Sequence, residues 1–520
     1  MPEFARRLAD QRPDEIALRD PRRALTWAAT GETLDRVANR LLATDLGPQR
    51  RVAVFAENAN EPALAHLGGL LGGASTVPVN FHLTAAETAF ILGDSASRVV
   101  FVGPQTVERA LEAADIVEAS GAVRPTIVAW RCEEIWGVLE WSDWVADAPD
   151  GDPSLDVKPL PNFLYTSGTT GLPKGTELPP SMFAGGATMR EHLAALASNR
   201  FAEYGAHLVV GPMYHTGPLS GMRLLAAGKP SVILDRFDAA QTLATIDRYR
   251  TETAVMVPTH FVRLLALDDD VRARYDVSSM KLVAHTGAAC PVDVKRAMIA
   301  WWGPIFVDAY GATEVGTTCS ISSQEWLEHP GSVGRPIPPF EVLIIDEDGS
   351  NVGPNVEGRL FFRDTTGRGV VYPNDPVKTA AAHIAPGLFT LGEIGCVDDE
   401  GYVYITDRFS DMVVSGGVNI YPAEAEQVLL EHPAVADVGC IGIPHPDMGE
   451  ELKALVVAAD LASPPDPSEL LTFCRDRLSH FKCPRSVDIV DDLGRNAMGK
   501  INKRVLRSPY WSGALDASPI

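Results

Sequence analysis

Cysteine is scarce in this chain, with seven among 520 residues, at positions 132, 290, 319, 396, 440, 474 and 483. They are odd in number and far apart, with no Cys-x-x-Cys pair. That excludes a disulfide framework and a cysteine zinc site, and it reads as reduced cytosolic thiols. Positive charge is also in short supply: 45 Lys and Arg stand against 68 Asp and Glu, a formal net charge of −23. The general field repels a polyanion, so a nucleic-acid binder is excluded, and any anionic ligand must be held by a local device. Continuous apolar runs are missing as well. The longest uncharged stretch, Pro62 to Ala86, is broken by His66, Asn80, His82, two Gly pairs and Pro78, whereas a membrane helix must be continuous. The opening MPEFARRLADQRPDEIALRD has no apolar core of a secretory signal. A cytoplasmic protein without a membrane span is expected.

What is present is 46% hydrophobic residues with 44 Gly and 39 Pro, a globular composition. At ~100 to 200 residues per domain, the length predicts two to four units. From residue 50 to about 310, apolar runs such as Arg51 to Ala56, Arg98 to Val102, His207 to Val210, Ala254 to Val257 and Ile305 to Asp308 alternate with helical patterns. The helical patterns include Ala239 to Tyr249, Thr259 to Ala266 and Pro291 to Trp301, the last with Pro at the first helical position. Such alternation signals βα units around parallel sheets. After residue 330, Gly and Pro turns between short strands predict a compact β unit. Beyond Arg408 the pattern is that of a small α+β domain, with a loose tail after Pro509. The expected fold class is α/β, with a large N-terminal domain, 1–407, of βα-layered subdomains plus a β subdomain, and a small α+β C-terminal domain, 408–520.

The most informative stretch is Tyr165-Thr-Ser-Gly-Thr-Thr-Gly-Leu-Pro-Lys-Gly175. Its glycines permit turns whose amides point into one concavity, four hydroxyls add donors and Lys174 adds a cation, which suits a polyphosphate. No Gly-Lys-Ser/Thr follows, so it is not a Walker loop. The string resembles the phosphate loop of the adenylate-forming superfamily of acyl-CoA synthetases, luciferases and peptide-synthetase adenylation domains. Companion stretches follow in that family's order: Pro212-Met-Tyr-His-Thr-Gly217, Asp308-Ala-Tyr-Gly-Ala-Thr-Glu314, Gly392-Glu393, Asp407-Arg-Phe-Ser-Asp411, Ser415-Gly-Gly-Val-Asn-Ile-Tyr-Pro422 and Gly494-Arg-Asn-Ala-Met-Gly-Lys-Ile501.

The resemblance implies roles for each. Thr166, Ser167, Gly168, Thr169, Thr170, Gly171 and Lys174 would hold the polyphosphate. Gly287, Asp308, Ala309, Tyr310, Gly311 and Thr313 would lie along the nucleotide, and Glu393 and Arg408 would meet the ribose. Glu314, with Thr166, would approach Mg²⁺, which takes one or two carboxylates plus phosphate oxygens. Lys500 would contact the carboxylate and the α-phosphate, so the catalytic set is Lys500, Glu314, Thr166 and His215. His215, Thr216, Thr259, His260, Gly287, Ala288, Gly311 and Gly316 would line the acyl pocket. Ser415, Gly416 and Gly417 would line a thiol tunnel, and Ser410 would be the hinge of a mobile small domain. Three features depart from the family pattern: Glu393 stands where Asp is usual, Ser410 where Asp or Lys is usual, and Thr176 to Ser181 lacks a His.

The implied function is an ATP- and Mg²⁺-dependent acyl-CoA synthetase that makes an acyl adenylate and passes the acyl group to coenzyme A. Small, uncharged pocket segments predict a fatty, alicyclic, steroid-like or terpenoid acid. Without a carrier segment after the small domain, a free thiol is the expected acceptor. The partners are then small molecules, with monomer and homodimer both open. Two alternatives remain: a ligase that mainly thioesterifies a supplied adenylate, and a non-catalytic nucleotide or acyl sensor. Cys290 reads as a packing residue rather than a nucleophile.

Overall fold

The computed structural model describes residues 8–166, 173–288, 290–345, 350–408, 412–494, 501 and 503–511. Two stacked α/β layers form the larger part. In the first, strands Ser75–Val79, Arg51–Phe55, Val99–Val102, Thr126–Ala129 and Val138–Glu140 pair in that order, all parallel. In the second, Phe306–Ala312, Leu282–His285, Thr253–Met256, His207–Val209, Ser231–Ile233 and Ile16–Arg19 pair in parallel. Antiparallel strands close both edges: Gly316–Ser322 with Arg335–Pro336 at one, Ala24–Thr26 at the other. Val- and Ile-rich strands covered on both faces are what parallel sheets require.

The uncharged stretch from Pro62 finds its place between the layers. Helix Asn60–Leu71 is buried at every one of its positions, so its uniform hydrophobicity reflects a core location. It packs on helix Trp27–Ala43 closely enough that a Cβ at Gly68 would meet Val37 Cγ1 at 2.3 Å, so only glycine permits the crossing. Next comes an antiparallel β unit built from Phe340–Ile345, Gly358–Asp364, His383–Ala385, Leu388–Phe389, Glu393–Val397 and Val403–Arg408.

The C-terminal unit has sheet strands Val413–Ser415, Val418–Ile420, Val435–His445, Gly449–Ala458 and Ser486–Ile489, with helices Pro422–Leu430 and Pro467–Arg475. The expected elements therefore form, with two corrections. Pro291 is the cap residue and helix Val292–Trp302 begins after it. Helix Lys503–Trp511 runs through Pro509, so Tyr510 and Trp511 are helical, and the rest of the expected tail lies outside the described residues. That helix is fastened to the C-terminal sheet by Tyr510 Oη to Asp488 (2.6 Å), Trp511 Nε1 to the Gly442 carbonyl (3.0 Å) and Arg507 to Glu450 (2.9 Å). No helix of the described residues is long and apolar enough to cross a membrane.

Candidate active site

Strands Phe163–Thr166 and Lys174–Glu177 form a hairpin in which Thr166 lies opposite Lys174. The hairpin is clamped by aromatic packing. The Phe163 ring carries the Arg51 guanidinium at 3.5 Å, and a Cβ at Gly175 would strike the same ring at 2.3 Å. Ser167, Gly168, Thr169, Thr170 and Gly171 lie outside the described residues. Both ends of the loop are thus fixed where a polyphosphate is expected.

Glu314 occupies the turn between strands Phe306–Ala312 and Gly316–Ser322. Its Oε1 accepts the Thr166 hydroxyl at 2.9 Å and the Tyr372 hydroxyl at 3.2 Å, while its carbonyl accepts Arg368 at 3.1 Å. One carboxylate and one hydroxyl, both hard oxygen donors, suit Mg²⁺, which completes its shell with phosphate oxygens and water. Among the described residues no group of three or more His, Cys, Asp or Glu could hold a metal by itself. The donor set fits an ion carried in with its nucleotide.

Asp308 is committed elsewhere. Its carboxylate pairs with Lys295 Nζ at 3.2 Å and lies 3.6 Å from His285 Nδ1, and the ammonium sits 4.7 Å over the Trp326 ring. The side chain expected beside the nucleotide thus anchors its strand to helix Val292–Trp302. The Lys295 side chain is 1% exposed, and burial lowers its pKa against the pull of Asp308. Lys295→Met should therefore destabilise the protein by about 3–5 kcal/mol, the cost of leaving one partner of a buried pair uncompensated. Denaturant melts check this, and adding Asp308→Asn should recover part of the loss.

The two expected ribose residues meet in the β unit, where Glu393 and Arg408 are direct partners in an antiparallel ladder. Glu393 is buried, at 8% exposure. His215 caps helix Thr216–Met222 with its ring against Tyr214, and burial holds its pKa down at about 4. It is a neutral ring at pH 7, compatible with an apolar neighbour. His260 stacks on Phe237 at 4.1 Å, and its Nδ1 accepts the Val257 amide at 3.4 Å; burial first and Arg263 second hold its pKa at about 3. Its observed contacts are those of a packed capping residue.

The small residues of the expected pocket divide into two kinds. A Cβ at Gly311 would meet the Gly316 carbonyl at 1.9 Å, and one at Gly316 would meet Ser181 Oγ at 2.5 Å. These two glycines let backbones and side chains approach and leave no free volume, contrary to the simple expectation that small residues mean space. Thr216 and Thr259 stand on the first turns of helices Thr216–Met222 and Pro258–Leu265, and Gly287 takes φ +90° in the turn that also holds Ala288. Burial raises Cys290 to about 12, which agrees with packing and not with a nucleophilic thiolate.

The C-terminal unit packs against the larger part beside helix Pro258–Leu265. Gly416 and Gly417 have φ +58° and +81°, and a Cβ at Gly417 would lie 3.2 Å from Val257, the residue preceding helix Pro258–Leu265. The Ser415 to Gly417 loop therefore touches the wall that carries Thr259. Two ion-pair groups hold it there. Arg263 forks onto Asp447 at 3.2 and 2.9 Å. Lys482 Nζ reaches Glu87 at 2.9 Å and Glu424 at 3.0 Å, and Ser479 Oγ donates to the same Glu87 at 2.5 Å. Tyr372 and Lys482 carry no sequence signal because each acts through a partner far away in the chain, and Lys295 carries none because its helix gives no sign that it meets the Asp308 strand. Ser410 and Lys500 lie outside the described residues.

A hydroxyl-bound carboxylate at the end of the Gly/Thr hairpin, together with a glycine loop on a second α+β unit, is the arrangement expected of a nucleotide-dependent acid-activating ligase. Family models agree with this: the AMP-binding enzyme model matches residues 5–370 and the AMP-binding enzyme C-terminal domain model matches 424–500. The chain belongs to the AMP-binding enzyme family. Its curated relatives include the fatty acid–[acyl-carrier-protein] ligase ScoC of Streptomyces coeruleorubidus, 32% identical across 97% of this chain and 95% of that protein. Another is the 3-[(3aS,4S,7aS)-7a-methyl-1,5-dioxo-octahydro-1H-inden-4-yl]propanoyl:CoA ligase of Rhodococcus jostii, 32% identical across 97% and 98%. Among solved structures, the amide bond synthetase McbA from Marinactinospora thermotolerans superposes with a TM-score of 0.81 at 25% identity, covering 98% of this chain and 99% of that one. The chain is thus an adenylate-forming enzyme of the AMP-forming ligase class, which works with ATP, Mg²⁺ and, in its acyl-CoA synthetases, coenzyme A.

Proposed function

We propose that this enzyme activates an apolar carboxylic acid as its acyl adenylate and transfers the acyl group to coenzyme A. The observation that carries the reading is the seating of Ser415 to Gly417 against Val257, the residue that precedes the helix carrying Thr259. A carboxylate is a poor acyl donor because its leaving group would be oxide, so AMP must be made the leaving group. Two anions then meet at bonding distance and their charge must be neutralised. Thr166 and Lys174, opposite each other on one hairpin, take the polyphosphate, and Glu314 holds Mg²⁺ with the Thr166 hydroxyl. The bound ion supplies positive charge to the phosphoryl oxygens. Neutral His215 keeps the acyl side uncharged.

In the second step the small domain, 408–520, presents the Ser415 to Gly417 loop, whose glycines let its backbone close on Val257 and Met448, and the pantetheine arm runs along that loop. Lys500 serves the first step and withdraws as the domain turns at Ser410, a domain closure used as a switch. The acid is fatty or bulky alicyclic, steroid-like or terpenoid. In support, the acyl segments around His215, Thr259, His285 and Tyr310 read HTGPLSGM, THFVRL, HTGAAC and YGATEVGTT, their one Lys or Arg, Arg263, is paired with Asp447, and two relatives take a fatty and a bicyclic acid. Cysteines that are few and far apart in the sequence support a cytoplasmic location.

Acid-dependent exchange of labelled pyrophosphate into ATP tests adenylation, and a synthetic acyl adenylate with CoA tests transfer. Product from the adenylate without exchange would instead support a dedicated thioesterifying ligase, and failure of both would leave a sensor. Lys500→Ala should abolish exchange and spare transfer from supplied adenylate. Equal loss of both would show that the lysine acts in neither step selectively.

A further inference from the structure

Lys378 lies outside every motif considered above, yet the fold delivers it to the phosphate hairpin. It sits on the short helix Pro376–Ala381, after a turn that is tied at several points. Thr379 Oγ1 accepts the Tyr372 amide at 2.9 Å and approaches the Tyr372 and Asp375 carbonyls at 3.2 and 3.0 Å. Asp375 accepts the Lys378 amide at 2.9 Å. These bonds fix the Lys378 ammonium 4.6 Å above the Tyr372 ring, whose hydroxyl donates to Glu314. Lys174 stands on the hairpin strand opposite Thr166, whose hydroxyl binds the same Glu314 oxygen.

The two ammoniums burden each other. Burial first and the Lys174 ammonium next hold Lys378 down at about 7, against the attraction of Glu314 and Asp375. A lysine close to both Lys174 and Glu314, the carboxylate that is also to carry a divalent ion, adds to the positive charge gathered at this hairpin. Such a cluster is unfavourable when empty and favourable around a polyanion.

The geometry points to Lys378 as a second cation of the polyphosphate site, contacting with Lys174 the β- and γ-phosphates that depart as pyrophosphate. This rests on the adenylation reading above. In that step an oxygen of the acid's carboxylate forms a bond to the α-phosphorus, and the bond from that phosphorus to the β-bridging oxygen breaks. The electron pair leaves on pyrophosphate, whose charge the two lysines neutralise.

Lys378→Ala should raise the KM for pyrophosphate in the exchange reaction, and that for ATP, by about tenfold, the weight of one charge-assisted contact. AMP, which lacks those phosphates, should lose affinity by a much smaller factor, and Lys378→Arg should recover most of the loss. Unchanged KM values, or equal weakening of AMP and pyrophosphate, would overturn the assignment. Should Lys378→Ala fail to fold, Lys378→Gln serves with the same outcomes. If the wild-type enzyme shows no exchange, the adenylation reading fails by itself. Calorimetric binding of magnesium pyrophosphate to wild type and Lys378→Gln then decides the site, equal affinities overturning it.

Discussion

Glu314→Gln should lower the rate of acid-dependent pyrophosphate exchange by about 10²–10³-fold, the usual cost of removing one pre-positioned electrostatic stabiliser. The substitution keeps shape and leaves an amide oxygen for the Thr166 and Tyr372 hydroxyls, which now reach Glu314 at 2.9 and 3.2 Å. What it removes is the charge needed to hold Mg²⁺ beside the phosphates. The loss should therefore fall on the adenylation step and shrink when Mg²⁺ is raised well above its working concentration. Transfer from a supplied acyl adenylate, with no polyphosphate to neutralise, should suffer much less. A uniform loss in both steps, insensitive to Mg²⁺, would mean that Glu314 only braces its turn.

The second large effect is expected at Lys482. Its side chain is 6% exposed and touches Glu87 and Glu424, at 13% and 3%. Lys482→Met should undock the C-terminal unit at a cost of about 3–5 kcal/mol, because two buried carboxylates lose the counter-charge they share and repel each other. Thioester formation should then fall far more than exchange, and small-angle scattering should show a more extended particle. Loss of exchange with transfer intact would assign the observed docking to the wrong half-reaction.

The same group sets a pH window. Burial alone would raise Glu87, but the Lys482 ammonium and the Ser479 and Thr84 hydrogen bonds overcome it, leaving its pKa below the ordinary 4.5. A depressed carboxylate contributes stability above its unfolded value and loses it as pH falls through the folded one. Burial alone would lower Lys482, yet Glu424 and Glu87 leave it raised above 10.5. That contribution is complete below 10.5 and fades only as pH rises through the higher folded value. Glu424, raised by burial against the pull of Lys482, opposes Glu87 by taking up a proton more readily when docked. Docking should hold from about pH 5 to 10 and weaken below about 4.5, as Glu87 is protonated.

Much of this was legible in the sequence for local reasons. The βα alternation of residues 50 to 310 depends on periodicity and caps, and the helix Ala239–Tyr249 forms within its expected limits because Asp238 caps it at Gln241. The Gly/Thr string and Glu314 announce themselves by residue type and order. What the sequence hid is long-range. Strand Ile16–Arg19 joins the second sheet beside Ser231–Ile233, a partner more than 200 residues away, and nothing local marks that pairing. Asp308 reads as a nucleotide residue from its motif, but its carboxylate is spent on Lys295. Gly311 and Gly316 read as pocket volume, but the space their missing Cβ atoms leave is already occupied. Lys482 looks like one more surface lysine, and only folding sets it between Glu87 and Glu424.

The central claim, two chemical steps on one site, is tested most directly by sequential addition with mass detection. Enzyme, MgATP and a bulky apolar acid such as a steroid side-chain or terpenoid carboxylate are mixed first, and CoA is added afterwards. The expected result is acyl adenylate and pyrophosphate before CoA, converted to acyl-CoA and AMP on its addition. Appearance of ADP and phosphate, or an adenylate that persists unchanged once CoA is present, would contradict it.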